Sequence, residues 1–194
     1  MNKKTVALSS EQYEKIITTI RAGVKSDDPD KVTFRPNDRV AMALVLEGNL
    51  GIRISDILQL TLNSFVKDGA RYRLDITEKK TGKKRTFTVP SPIFVYIENY
   101  CLRNQIGRND LILPISARTV QSILKMACDH LGYEGVSTHS FRKYYATEIY
   151  QNNGCDIVLV QHLLQHSSAE VTQRYIGLDS KQVEDAILKH MQLL

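Results

Sequence analysis

Six polar side chains, spread from residue 53 to residue 175, are of the types that can cut a phosphodiester without a metal. Near the C-terminal end stands Thr138-His139-Ser140-Phe141-Arg142, then Leu163-Leu164-Gln165-His166, then Tyr175. Upstream, Arg53 and Lys80 complete a set of two arginines, two histidines, one lysine and one tyrosine. Phosphoryl transfer asks a protein mainly for positioning and charge stabilisation. Arginine offers a planar fork that matches two phosphate oxygens, which lysine cannot do. Two arginines can therefore hold the non-bridging oxygens through a crowded, extra-negative transition state. A free tyrosine hydroxyl titrates near pH ~10, so it needs a neighbouring acceptor such as His139 before it attacks. The leaving 5′ oxygen needs a proton, and a lysine can donate it.

These groups must be brought together by the elements that carry them. Ser9 and Gln12 form a capping-box pattern ahead of a helix with Ile16, Ile17 and Ile20 inward. Gly23 to Pro36 reads as a loop. Asn37 can cap a second helix through Val40, Ala43, Leu44 and Glu47, with Gly48 as its stop. Arg53 to Leu60 reads as a short helix with Ile54, Ile57 and Leu58 inward. The period then changes to two. Tyr72, Leu74 and Ile76 alternate with Arg71, Arg73 and Asp75, and Phe87 and Val89 continue the pattern in a second run. This is a hairpin with Lys80-Thr81-Gly82-Lys83 at or near its turn. Phe65-Val66 is a candidate third strand.

After Pro92 the pattern is helical again. Val120, Ile123, Leu124, Ala127 and Leu131 make a 3.6-period stripe closed by Gly132. Thr138 is expected to cap the next helix and Gly154 to end it. That helix carries His139 and Arg142, three apart and so on one face. Asp156 to Gln165 is a further helix, and a short one leads to Tyr175. The nine residues from His166 to Tyr175 leave room for a turn that swings the tyrosine back. The expected fold class is mainly α with a small antiparallel β-sheet.

Bulk properties set the limits. A chain of 194 residues with 42% hydrophobic content has the length and core of one domain. It has no apolar run of membrane-spanning length. No apolar h-region follows Met1-Asn2-Lys3-Lys4-Thr5, so a cytoplasmic protein is expected. Three cysteines (Cys101, Cys128 and Cys155) are too few and too far apart for a disulfide framework or a zinc site. His162 and His166 lie one turn apart but lack a carboxylate or cysteine at matching spacing, so no metal is expected there. The net charge of +5 favours a polyanionic partner. Lys79, Lys83, Lys84 and Arg85 crowd the hairpin as expected contacts to the backbone of such a partner.

Four blocks, in order, resemble the catalytic domain of the tyrosine recombinases, also called the phage integrase family. Gly51-Ile52-Arg53-Ile54-Ser55-Asp56-Ile57-Leu58-Gln59-Leu60 is similar to the family's first arginine box. Lys80-Thr81-Gly82, in a hairpin ending at Val89-Pro90, is similar to its lysine hairpin. Thr138 to Arg142 is similar to its His-x-x-Arg box. Leu163 to Ser168, continued through Arg174-Tyr175, is similar to its nucleophile box. Gln165 departs from the pattern, since a glycine is usual before the second histidine.

The resemblance implies a role for each position. Tyr175 would attack the scissile phosphate and form a 3′-phosphotyrosyl link. Arg53 and Arg142 would clamp the phosphate. Lys80 would protonate the 5′ oxygen. His139 would be the tyrosine's acid–base partner, His166 would hydrogen-bond the phosphate, and Asp56 would support the site from behind. No cofactor is implied. The implied partner is double-stranded DNA, with self-association on it. The resemblance also implies a single catalytic domain over 1–194, with a final apolar helix at 179–193 that packs on its own core or docks on a neighbouring protomer. The family's preceding helical clamp domain is expected to be absent, because too few residues precede Arg53. DNA strand exchange is the reading carried forward. A catalytically silent DNA-binding regulator and a topoisomerase using the same chemistry are the alternatives.

Overall fold

The structure is a computed structural model that describes residues 5–25, 33–79, 82–164 and 169–176, the side chains at 169, 170, 174 and 175 excepted. The chain divides into two compact units, Met1–Tyr145 and Ala146–Leu194.

The first unit opens with α1 (Ser10–Ala22), where the expected capping box between Ser9 and Gln12 is present. α2 (Asp38–Leu50) follows, with the Asn37 side chain accepting the Val40 N–H. α2 is buried almost all round, with Val40, Ala41, Met42, Ala43, Leu44 and Leu46 in the core. α1 and α5 (Ala117–Leu131) pack against it. A helix with so little polar surface is a central element, stabilised by burial more than by propensity.

α2 does not stop at Gly48. It runs on to Leu50 and is capped by Gly51, which is left-handed at φ +60°. Gly48 is inside the helix because Tyr13 packs over it; a Cβ there would lie 2.9 Å from the Tyr13 ring. At Gly51 a Cβ would lie 2.3 Å from the Tyr145 ring. Both the turn and the close approach therefore require glycine. Gly51→Ala is expected to cost about 3 kcal/mol, from left-handed strain plus overpacking. Urea denaturation measures it.

After Ile52 and Arg53 comes α3 (Ile54–Ile57), shorter than the expected Arg53–Leu60, with Arg53 as its extended N-cap residue. A three-stranded antiparallel sheet follows: β1 (Phe65–Asp68), β2 (Arg71–Thr77) and β3 (Lys84–Val89), in the order β1-β2-β3. The candidate third strand at Phe65 is thus real. In β2–β3 the register pairs Tyr72 with Val89, Leu74 with Phe87 and Ile76 with Arg85. α4 (Ser91–Arg103) covers the sheet, with Tyr72 stacked on Phe94 at 3.7 Å between centroids. That cover is what a small sheet needs for stability.

α6 (Thr138–Asn152) begins at Thr138, and the Ser137 N–H just ahead of it donates to Ser140 Oγ. Gly154, at φ +63°, lies just past its end. In the second unit Asp156 caps α7 (Ile157–Leu164), accepting the Val158 and Leu159 N–H groups, and α8 (Ala169–Ile176) packs on α7. The fold is mainly helical with one small antiparallel sheet. Among the described residues no helix is long and apolar enough to cross a membrane.

Candidate active site

Arg53 stands at the junction between the Gly51 turn and α3. Its Nη1 meets the Glu78 carboxylate at 2.7 Å, and 23% of its side chain stays exposed. Glu78 follows β2 and closes the hairpin, its N–H donating to the Lys83 carbonyl and its carbonyl accepting the Gly82 N–H. Its other carboxylate oxygen takes Arg85 Nη1 at 2.5 Å. Arg85 also lies over the Phe87 ring, 4.2 Å from the centroid. One buried carboxylate thus bridges two guanidinium groups.

Arg85 was expected on the surface as a DNA-backbone contact. That expectation is corrected: its side chain is 1% exposed. The cause is strand parity. Tyr72, Leu74 and Ile76 alternate on one side, with Glu78 next in the alternation, and Val89, Phe87 and Arg85 oppose the first three through the register. The alternation was visible in the chain, but Arg85 reads as the end of a lysine run. Lys79, Lys83 and Lys84 are exposed, as a surface meeting a polyanion requires.

Asp56, one turn beyond Arg53, is buried, and its Oδ1 accepts the Lys79 N–H at 2.9 Å. The arginine turn and the lysine hairpin are therefore tied twice, once through Asp56 and once through Glu78. Lys80 itself lies outside the described residues.

Arg142 on α6 is buried, whereas His139 one turn before it is exposed. Within electrostatic reach of Arg142 is Glu47, fully buried on α2. Burial pushes the Glu47 carboxyl well above the usual range, while Arg142 and the nearby Ile54 N–H pull it the other way. Glu47 thus stands in the field of Arg142 and of the residue that follows Arg53. Tyr145 supplies a second link. Burial raises its phenol, and Arg142 and Arg85 both work against that rise. Arg142 and Arg85 both lie within electrostatic reach of Tyr145, and Arg85 shares Glu78 with Arg53. Glu47 and Glu78 are the candidate site residues that sequence reasoning missed. The signal for Glu47 was an acid on the apolar face of α2 beside Ala43 and Leu50.

Glu47 also makes a stability prediction. Its folded value is raised above the unfolded one, so below pH ~4 both states hold the proton and nothing is lost. As pH rises past the unfolded value, only the unfolded state ionises. Stability then falls, by up to about 1.4 kcal/mol per pH unit, until the folded carboxyl ionises too. Glu47→Gln is expected to flatten this slope in urea titrations run at several pH values.

His166 lies outside the described residues, as does the apolar segment expected at 179–193. Tyr175 is in α8, in the second unit, and its side chain is outside the description. Among the described residues no cluster of histidine, cysteine or acidic groups is placed to hold a metal ion.

A profile of the phage integrase family matches residues 6–182. The chain is 30% identical over 171 residues to a probable integrase/recombinase, YoeC, of Bacillus subtilis, covering 84% of this chain and 91% of that protein. A structure of the XerH site-specific recombinase, in a post-cleavage complex with its palindromic difH substrate, superposes with a TM-score of 0.68 at 22% identity. That match covers 95% of this chain and 53% of the other, so the chain spans about half the length of that recombinase. The catalytic domain of bacteriophage HP1 integrase gives a TM-score of 0.59 at 20% identity, covering 95% of this chain and 94% of that one.

Proposed function

Because the chain belongs to the phage integrase family of tyrosine recombinases, we propose that it cleaves and rejoins double-stranded DNA through a 3′-phosphotyrosyl intermediate formed by Tyr175. The Tyr175 oxygen attacks phosphorus while His139 takes its proton. The P–O5′ bond breaks, and Lys80 gives a proton to the departing oxygen. Arg53 and Arg142 hold the non-bridging oxygens, whose charge grows in the transition state, and His166 adds a hydrogen bond. Bond energy is kept in the phosphotyrosyl ester, so a 5′ hydroxyl from another strand reverses the step. Lys79, Lys83 and Lys84 contact the DNA backbone. Further copies assemble on the DNA, and the site of action is the cytoplasm, where DNA is accessible.

The observation that carries this reading is the double tie between the Arg53 turn and the Lys80 hairpin. A phosphate clamp and a proton donor must be held at fixed separation, and here Asp56 and Glu78 fasten the two segments together.

The test uses a pool of nicked duplexes with a randomised central segment. Cleavage near the nick lets the short strand diffuse away and traps the protein covalently. Recovery of DNA linked to Tyr175 after denaturation, with a shared sequence in the trapped molecules, is the expected result. Tight, salt-sensitive binding with no covalent product would instead identify a silent DNA-binding regulator. Trapping without shared sequence, together with relaxation of supercoiled plasmid, would identify a topoisomerase.

A further inference from the structure

We infer that Glu78 and Arg85 form a positioning relay that aims Arg53 at the scissile phosphate, so that a buried ion pair inside the hairpin sets the geometry of the clamp. This rests on the reading of Arg53 as a phosphate clamp. Arg53 is an N-cap residue on a long flexible stem, and its own element is four residues long. Such a short helix does little to fix a guanidinium. Glu78 supplies the missing restraint, at 2.7 Å on one nitrogen, while the partly exposed remainder of Arg53 is left for another anion.

Glu78 is itself held. Its second oxygen is taken by Arg85, and Arg85 is packed on Phe87. The side chains of Glu78 and Arg85 are 5% and 1% exposed, so neither can reach a DNA surface. A buried pair of this kind is costly to desolvate and often adds no stability over apolar residues. Burial of an arginine among lysines that are exposed calls for a role, and the chain of contacts ends on Arg53. Glu78 and Arg85 touch no substrate; they act through the side chain they hold.

The experiment measures single-turnover cleavage at saturating DNA, on nicked duplex recovered from the randomised pool. It uses two versions of that duplex: one natural, and one in which a methyl group replaces a non-bridging oxygen of the scissile phosphate. The methyl group removes the charge that Arg53 answers. Arg53→Ala is the control. Glu78→Gln is expected to slow cleavage of the natural phosphate about 10²-fold, the scale of a misplaced catalytic group. DNA affinity should stay within about twofold, because the loss lies in the transition state. On the methylated phosphate the penalties of Glu78→Gln and Arg53→Ala should both largely disappear. Glu78→Gln removes the carboxylate that Arg85 binds, so the double variant Glu78→Gln/Arg85→Met serves as a folded neutral replacement with the same expected pattern.

Unchanged or faster cleavage by these variants would overturn the relay; faster cleavage would make Glu78 a competitor of the phosphate. A penalty that persists on the methylated duplex, where that of Arg53→Ala disappears, would also overturn it. If Arg53→Ala itself cleaves normally, the clamp reading fails first, and the relay falls with it.

Discussion

Tyr175→Phe should bind DNA as the unchanged chain does and yield no covalent product. Phenylalanine keeps the ring and deletes only the oxygen that forms the ester. Loss of a nucleophile removes on the order of 10⁴-fold or more of the rate, which puts adduct formation below detection. Denaturing gels of the trapped product measure it, and a filter-binding titration checks that affinity holds. The structure also says which tyrosines should not matter. Tyr144 is stacked on Tyr13, with centroids 4.7 Å apart and planes at 11°. Tyr145 lies against Gly51, where its ring fills the space a Cβ would need. Both are packing groups, so Tyr144→Phe and Tyr145→Phe should keep the adduct. An adduct that survives Tyr175→Phe and vanishes in either of the others would move the nucleophile to α6.

Arg142→Ala should lose both activity and stability, by separable routes. Removing one preformed donor from a developing oxyanion costs about 10²- to 10³-fold in rate. Emptying the buried position of the Arg142 side chain costs about 3 kcal/mol through lost packing. Arg142→Met refills that volume without the charge, beside a Glu47 carboxyl that burial already favours in its protonated form. It should recover most of the stability in urea and none of the cleavage. Cleavage restored along with stability would mean that Arg142 holds α6 in place and never meets the phosphate.

The arginines differ in how much of their setting could be read from the chain. Arg53 and Arg142 are carried by short blocks whose order, spacing and apolar flanks are local properties. The same holds for the capping box at Ser9, the stripe of α5 and the period-two hairpin. Local backbone preferences and side-chain periodicity are written residue by residue, so they survive without coordinates. The stop of α2 was misread because two glycines, Gly48 and Gly51, compete for one cap. Tyr13 packing over Gly48 settled it, and that contact joins two helices.

Arg85 shows the limit most clearly. In a run of lysines it reads as a solvated charge, and a charge run usually is one. Its burial depends on β3 pairing with β2 so that Ile76 faces Arg85, and on Glu78 at the hairpin end waiting for it.

Types, order and local setting of the proposed reacting groups are properties of the amino acids themselves, because each is encoded within a few neighbours. Which carboxylate neutralises which guanidinium was decided only when strands and helices came together. A charge can be buried solely beside a partner that compensates its lost water, and here that partner, Glu78 for both Arg53 and Arg85, comes from another element of the fold.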